Sequence, residues 1–112
     1  MSQRPADVRR LALSLPEATE APHHDMTSFR VGGKIFATMP PSGDRVHIFV
    51  TPAEVAASCA EYPGVVEELW WGKKLSGCRV ELASASRQVV LELLTEAWRR
   101  KAPKKLLAQF DE

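Results

Sequence analysis

Only two cysteines, Cys59 and Cys78, occur in the 112 residues, and they form no Cys-x-x-Cys pair. Neither has a histidine or carboxylate at the spacing a zinc motif requires, so a structural zinc site is not expected. In a reducing compartment both read as small buried hydrophobes rather than a disulfide or a nucleophile. An excess of one charge is also missing. Fifteen Lys and Arg against fourteen Asp and Glu leave a formal net charge of +1. Bulk electrostatics therefore demand no nucleic acid, and any such case must rest on local charge. No apolar run approaches the ~20 residues that span a bilayer, so no membrane partner is expected. The first seven residues lack the charged-then-apolar pattern of a signal peptide, and a cytoplasmic protein is the expectation. Absent too are Gly-x-Ser-x-Gly, the P-loop, His-Glu-x-x-His and the glycine-rich nucleotide fingerprint. No repeat, low-complexity segment or Gly/Ser linker divides the chain. These absences leave one domain over residues 1–112, with no cofactor and no catalytic activity expected.

What is present is an ordinary globular composition, 45% apolar and 26% charged, which argues against disorder in a chain long enough for its own core. Pro5 suits a first helical position and Asp7 its positive first turn. Val8, Leu11, Ala12 and Leu15 then share one face of a helix over roughly 5–14. Residues 16–26 read as a polar loop. Gly32-Gly33 between two apolar runs is a strong hairpin signal, with strands near 27–31 and 34–39. A plain two-residue loop sets Phe29 opposite Phe36 as an aromatic pair. A third strand follows at 45–50, with Val46, Ile48 and Val50 alternating against Arg45, His47 and Phe49. Thr51-Pro52-Ala53-Glu54 has the form of a capping box opening a helix, with Val55, Cys59 and Tyr62 on one stripe, ended by Pro63-Gly64. A second hairpin is expected over 69–73 and 77–83. Ser84 or Ser86 caps a longer helix through Lys101, whose apolar face is Val90, Leu91, Leu94, Ala97 and Trp98. Leu106, Leu107 and Phe110 suggest a final docked turn after Pro103. Terminal helices around a largely antiparallel sheet, a three-stranded meander plus a second hairpin, define an α+β fold.

Several segments, in order, resemble the MmcQ/YjbR group of small bacterial proteins. They are Asp7–Ala12 with Leu15-Pro16-Glu17, Pro22-His23-His24-Asp25, Ser28–Ala37, Trp71-Gly72-Lys73-Lys74, Arg79-Val80-Glu81-Leu82 and Glu96–Leu106. The resemblance covers essentially the whole chain. It implies a CyaY/frataxin-like α+β arrangement, and DNA binding through paired hairpins acting as a double wing. One departure stands out: many relatives carry a large aromatic before the Arg-Val of the second hairpin, where this chain has Cys78.

The leading functional expectation is a monomeric, non-catalytic binding module for DNA. It would use Lys34, Lys73 and Lys74 near the hairpin tips, Arg30 and Arg45 on the sheet, and Arg99, Arg100, Lys101, Lys104 and Lys105 at the end of the last helix. Cations so placed are what phosphate contacts need. They equally suit the negative end of a helix dipole or a solvated surface. The alternative is a small-ligand or protein-interaction surface built on His47, Trp70 and Trp71. Neighbouring tryptophans on a strand point to opposite faces, so one is expected in the core and the other partly exposed. Glu17, Glu20, His23, His24 and Asp25 are metal-ligating types close in sequence, so a metal-binding loop over residues 17–25, with His23, His24 and Asp25 as its candidates, is a third and lesser alternative. Pro22 extends that segment and scatters the side chains unless the loop folds back, so a plain surface loop is the leading expectation there.

Overall fold

The computed structural model describes residues 2–110. Pro5 does open the first helix, α1 (Pro5–Leu13), and the Asp7 carboxylate accepts from the Arg4 backbone N–H at 2.9 Å, satisfying one of the helix's free donors. Ten elements follow in the order α1, β1 (Thr19–His23), β2 (Met26–Val31), β3 (Lys34–Met39), β4 (Arg45–Ile48), α2 (Pro52–Glu61), β5 (Val66–Trp71), β6 (Lys74–Glu81), α3 (Arg87–Lys101) and α4 (Lys104–Phe110). The strands form one six-stranded antiparallel sheet, β1-β2-β3-β4-β6-β5. The fold is α+β, as the composition of elements implied.

Four expectations need correction. The stretch 16–26 is not all loop: Thr19–His23 adds a strand at the sheet edge, pairing with β2, and His24-Asp25 make its turn. An edge strand tolerates Pro22 and needs no apolar alternation, which is why the segment reads as loop. Phe29 faces Ala37 rather than Phe36, because β3 carries one extra residue at Phe36, a β-bulge. Both rings still lie wholly buried in the same core. The third strand stops at Ile48, two residues short. The second hairpin runs Val66–Trp71 and Lys74–Glu81, turning at Gly72-Lys73 rather than after residue 73. Glu67 and Glu68 hide that strand from a periodicity reading. They lie on an outer edge strand, where Glu67 pairs with Arg79 across the sheet at 3.5 Å.

The remaining signals act as their chemistry requires. Gly32 and Gly33 take φ of +58° and +79° in the turn between β2 and β3. Thr51 Oγ1 accepts from the Glu54 backbone N–H at 3.3 Å, while the Glu54 carboxylate accepts from Thr51 N–H at 3.0 Å. Ser86 caps α3 by accepting from Val89 N–H. Helices α2 and α3 pack on the sheet face that carries Val46, Ile48, Cys78 and Val80, and α1 packs against α3. Trp98 is fully enclosed there, and its Nε1–H donates to the Pro16 carbonyl at 3.0 Å, tying the end of the α1 region to α3. Arg45, His47 and Arg79 alternate with the core residues and project from the other face. Among the described residues no helix is long and apolar enough to cross a membrane.

Strands β4 and β6 approach unusually closely at Gly77. A Cβ built there would lie 2.3 Å from the Ile48 carbonyl oxygen and 3.0 Å from the Phe49 Cα. Both obstacles are backbone, so neither strand can swing aside as a side chain would. Gly77→Ala is expected to cost about 2 kcal/mol, in line with overpacking elsewhere. Urea denaturation checks this; an unchanged midpoint would mean the two strands separate freely.

Candidate functional site

Strand β4 is only four residues long; past Ile48 the chain keeps one bond to β3, from the Phe49 N–H to the Phe36 carbonyl at 3.1 Å, while β3 and β6 continue to their turns. Each flanking strand carries a bulge at that level, at Phe36 in β3 and at Ser76 in β6. Bulges bend a strand and increase its twist. Both hairpin turns, at Gly32-Gly33 and Gly72-Lys73, lie at this same end of the sheet. The gap between them is a cleft of about 340 Å³.

Thr38 and His47 lie side by side on its floor, as register partners across β3 and β4. Ile35, Phe49, Leu75 and Trp71 form apolar walls, with the Phe49 and Trp71 rings edge to face at 5.2 Å. Lys74, Arg100 and Lys101 supply the cations of the lining, and His23 and Met26 complete it. Arg100 is anchored there, its Nη1–H donating to the Phe49 carbonyl at 3.2 Å. None of the described residues lining the cleft is a carboxylate.

The electrostatics follow from this crowding. Burial, then the positive charges of Arg100, Lys34 and Lys74, hold the Lys101 amine below its ordinary range. Lys101 therefore lies within the field of cations from two other segments, Lys34 of β3 and Lys74 of β6, besides its neighbour Arg100. Burial also lowers the His47 pKa, reinforced by Arg45 and Arg79, so its ring is neutral at physiological pH. A neutral imidazole offers one donor and one acceptor.

The ten cations singled out from the sequence do not form one patch. Lys74, Arg100 and Lys101 line the cleft, and Lys34 lies outside its lining but near enough to act on the Lys101 charge. Lys73 is exposed at the second hairpin turn, and Lys104 and Lys105 are exposed on α4 outside the lining. Arg30 is spent internally, donating to Ser28 Oγ at 3.0 Å and to the Pro22 carbonyl at 3.5 Å. Arg45, at the far end of β4, lies 3.7 Å from Asp44, and Arg99 lies over the Phe110 ring at 4.9 Å. Of the tryptophans expected to divide between core and surface, neither is buried: Trp70 is 50% exposed and Trp71 58%. Strand β5 is the outermost of the sheet, and the bulge opposite Leu69/Trp70 breaks the alternation that would have turned one ring into the core. His23 and His24 touch edge to face at 4.6 Å, yet His23 turns to the cleft while His24 and Asp25 line a separate depression with Arg9 and Glu20. Among the described residues no three His, Cys, Asp or Glu side chains are placed to hold a metal. Cys59 and Cys78 are both free thiols, and burial pushes the Cys78 thiol up to about 12.

Thr38 and Phe49 are cleft residues that sequence reasoning passed over. Each left a signal: Thr38 is the polar member of an otherwise apolar Phe36–Met39 run, and Phe49 is the apolar member of the otherwise polar Arg45, His47, Phe49 face.

A family model described as YjbR matches residues 13–100. The chain is 33% identical to the uncharacterized protein Rv2570 of Mycobacterium tuberculosis, over 93% of this chain and 92% of the relative. The uncharacterized protein Mb2600 of Mycobacterium bovis matches to the same extent. The fold is similar to that of Deinococcus radiodurans protein DR2400, a DUF419 domain seen in a crystal structure. The TM-score is 0.75 at 20% identity, covering 98% of this chain and 89% of that one. The matched residues take in the cleft as far as Arg100.

A lowered His47 pKa makes stability depend on pH. Below the ordinary value of 6.5 the unfolded chain binds this proton more readily than the folded one, so stability present above 6.5 is lost as pH falls through the folded value. Between neutral pH and pH ~5 the wild type is therefore expected to lose more unfolding free energy than His47→Gln. Equal losses in paired denaturation curves would show His47 to be as solvated as a free histidine.

Proposed function

This chain belongs to the YjbR family, and from that premise we propose that it is a non-catalytic binding module that holds an anionic ligand in the cleft between its two hairpins. Family membership supplies a fold and not a reaction, so the argument rests on the site. One observation carries it: Lys74, Arg100 and Lys101 line a concave, partly aromatic cavity with no carboxylate among its described lining residues, and Lys34 adds its charge nearby. Gathering like charges is costly unless an opposite charge relieves it. The volume of about 340 Å³ falls within the range of small-molecule sites.

A second reading, nucleic acid, is favoured by a separate feature. Trp70 and Trp71 present exposed rings beside Lys73 and Lys74, the pairing of stacking platform and cation that holds unpaired bases. It favours a single strand over a duplex, because a base must be free to reach those rings. In either form the module acts as a cytoplasmic monomer whose two thiols remain reduced.

The test is a tryptophan-fluorescence titration at low salt with pyrophosphate, a short single strand and the matching duplex. Pyrophosphate is expected to bind, with affinity falling as salt rises. Replacing Lys74 and Lys101 by Ala is expected to weaken it by about tenfold or more, whereas replacing Lys104 and Lys105 leaves it unchanged. If the single strand alone binds, and Trp71→Ala abolishes that, the nucleic-acid form is correct. Absence of binding to all three probes, or equal losses from the two lysine pairs, would overturn the proposal.

A further inference from the structure

Resting on the reading that the cleft takes an anion, we infer that its ligand is a small, flat one: an aromatic or heteroaromatic ring bearing a carboxylate or phosphate, its polar edge read by Thr38 and His47. Three observations meet there. Thr38 is 97% enclosed (3% exposed), and its Oγ1 has no hydrogen-bond partner among the described residues. An unpaired buried hydroxyl is uncommon in a native fold and marks a group held ready for something else. Beside it His47 is half-buried in the lining of the same cleft, and neutral for the reasons already given. Together they offer a hydroxyl and an imidazole to the rim of a ring, within one pair of register partners.

The walls determine the shape. Phe49 and Trp71 meet edge to face, and Ile35 and Leu75 continue the apolar surface. A planar ring fits against such a surface, where a hydrated inorganic ion gains nothing. Lys74, Arg100 and Lys101 line the same cavity as these rings, so the ligand carries an anionic group as well as a flat apolar body. An apolar ring without a charge would leave those cations unrelieved. An anion without a ring would leave Thr38 and the walls unused.

The experiment uses the whole chain carrying Trp70→Phe, so that Trp71 reports on the cleft while Trp98 stays enclosed in the core. Four probes separate the requirements: nicotinate (ring, charge and ring nitrogen), benzoate (ring and charge), nicotinamide (ring and nitrogen) and acetate (charge alone). Nicotinate is expected to bind at least about tenfold tighter than acetate or nicotinamide. Thr38→Val is expected to weaken nicotinate by about tenfold while leaving benzoate nearly unchanged, and to leave the melting temperature of the free protein equal or higher, because an unpaired hydroxyl is removed. His47→Gln gives an independent second variant with the same selective loss. Two results overturn the inference while leaving the anion-binding module standing: acetate or pyrophosphate binding as tightly as nicotinate, or both variants affecting all four probes alike. A clearly lower melting temperature for Thr38→Val also overturns it, since the hydroxyl would then have a partner inside the fold. Failure of every anion to bind brings down both readings.

Discussion

Where β4 ends controls everything that gives this molecule a site. Gly77 lets the backbone of β6 come so close to Ile48 that no side chain can stand between them. At this point β4 leaves the sheet, with the Phe49 N–H still bonded to the Phe36 carbonyl at 3.1 Å. The strands on either side continue, each through a bulge that bends and twists it, to turns at the same end of the sheet. A flat, fully paired sheet would have no opening there. The cleft is thus a consequence of one close backbone approach and two extra residues, rather than of a separate loop or domain.

Electrostatics then give the opening its character. The hairpins bring Lys74 into its lining and Lys34 nearby, and α3 delivers Arg100 and Lys101. Cations at a helix C-terminus are favourable on their own account, since they meet the negative end of the dipole. Arg100 goes further and satisfies the Phe49 carbonyl left at the end of the shortened strand. The same side chain therefore supports the fold and charges the cleft. By contrast Arg30, Arg45 and Arg99 are engaged by neighbouring protein groups, which separates them from the cations around the opening.

Much of the architecture was legible beforehand because it rests on local chemistry. The glycine pair, the Thr51/Glu54 capping box, the Ser86 cap and the apolar stripes of α1 and α3 each specify their own geometry within a few residues. Strand β1 was not legible, since an exposed edge imposes no pattern on Thr-Glu-Ala-Pro-His. The register of β2 against β3 was not legible either. Phe36 and Ala37 are both apolar, so a sequence cannot say which of them faces Phe29 when one is looped out. Trp70 and Trp71 misled for a related reason: alternation assumes a regular ladder, and the bulge opposite Leu69/Trp70 breaks it.

By itself the sequence determined the kinds of element, their order and most of their caps, together with a supply of cations and aromatic rings near the turns. Those are short-range properties, set by dihedral preferences, caps and the period of burial. Only the tertiary structure decided that Thr38, His47, Phe49 and Trp71 share one cavity, and that three of the ten cations singled out line it together. That choice depends on strand register, on bulges and on a backbone contact at Gly77, all of which link residues far apart in the chain and leave little trace in any one segment of it.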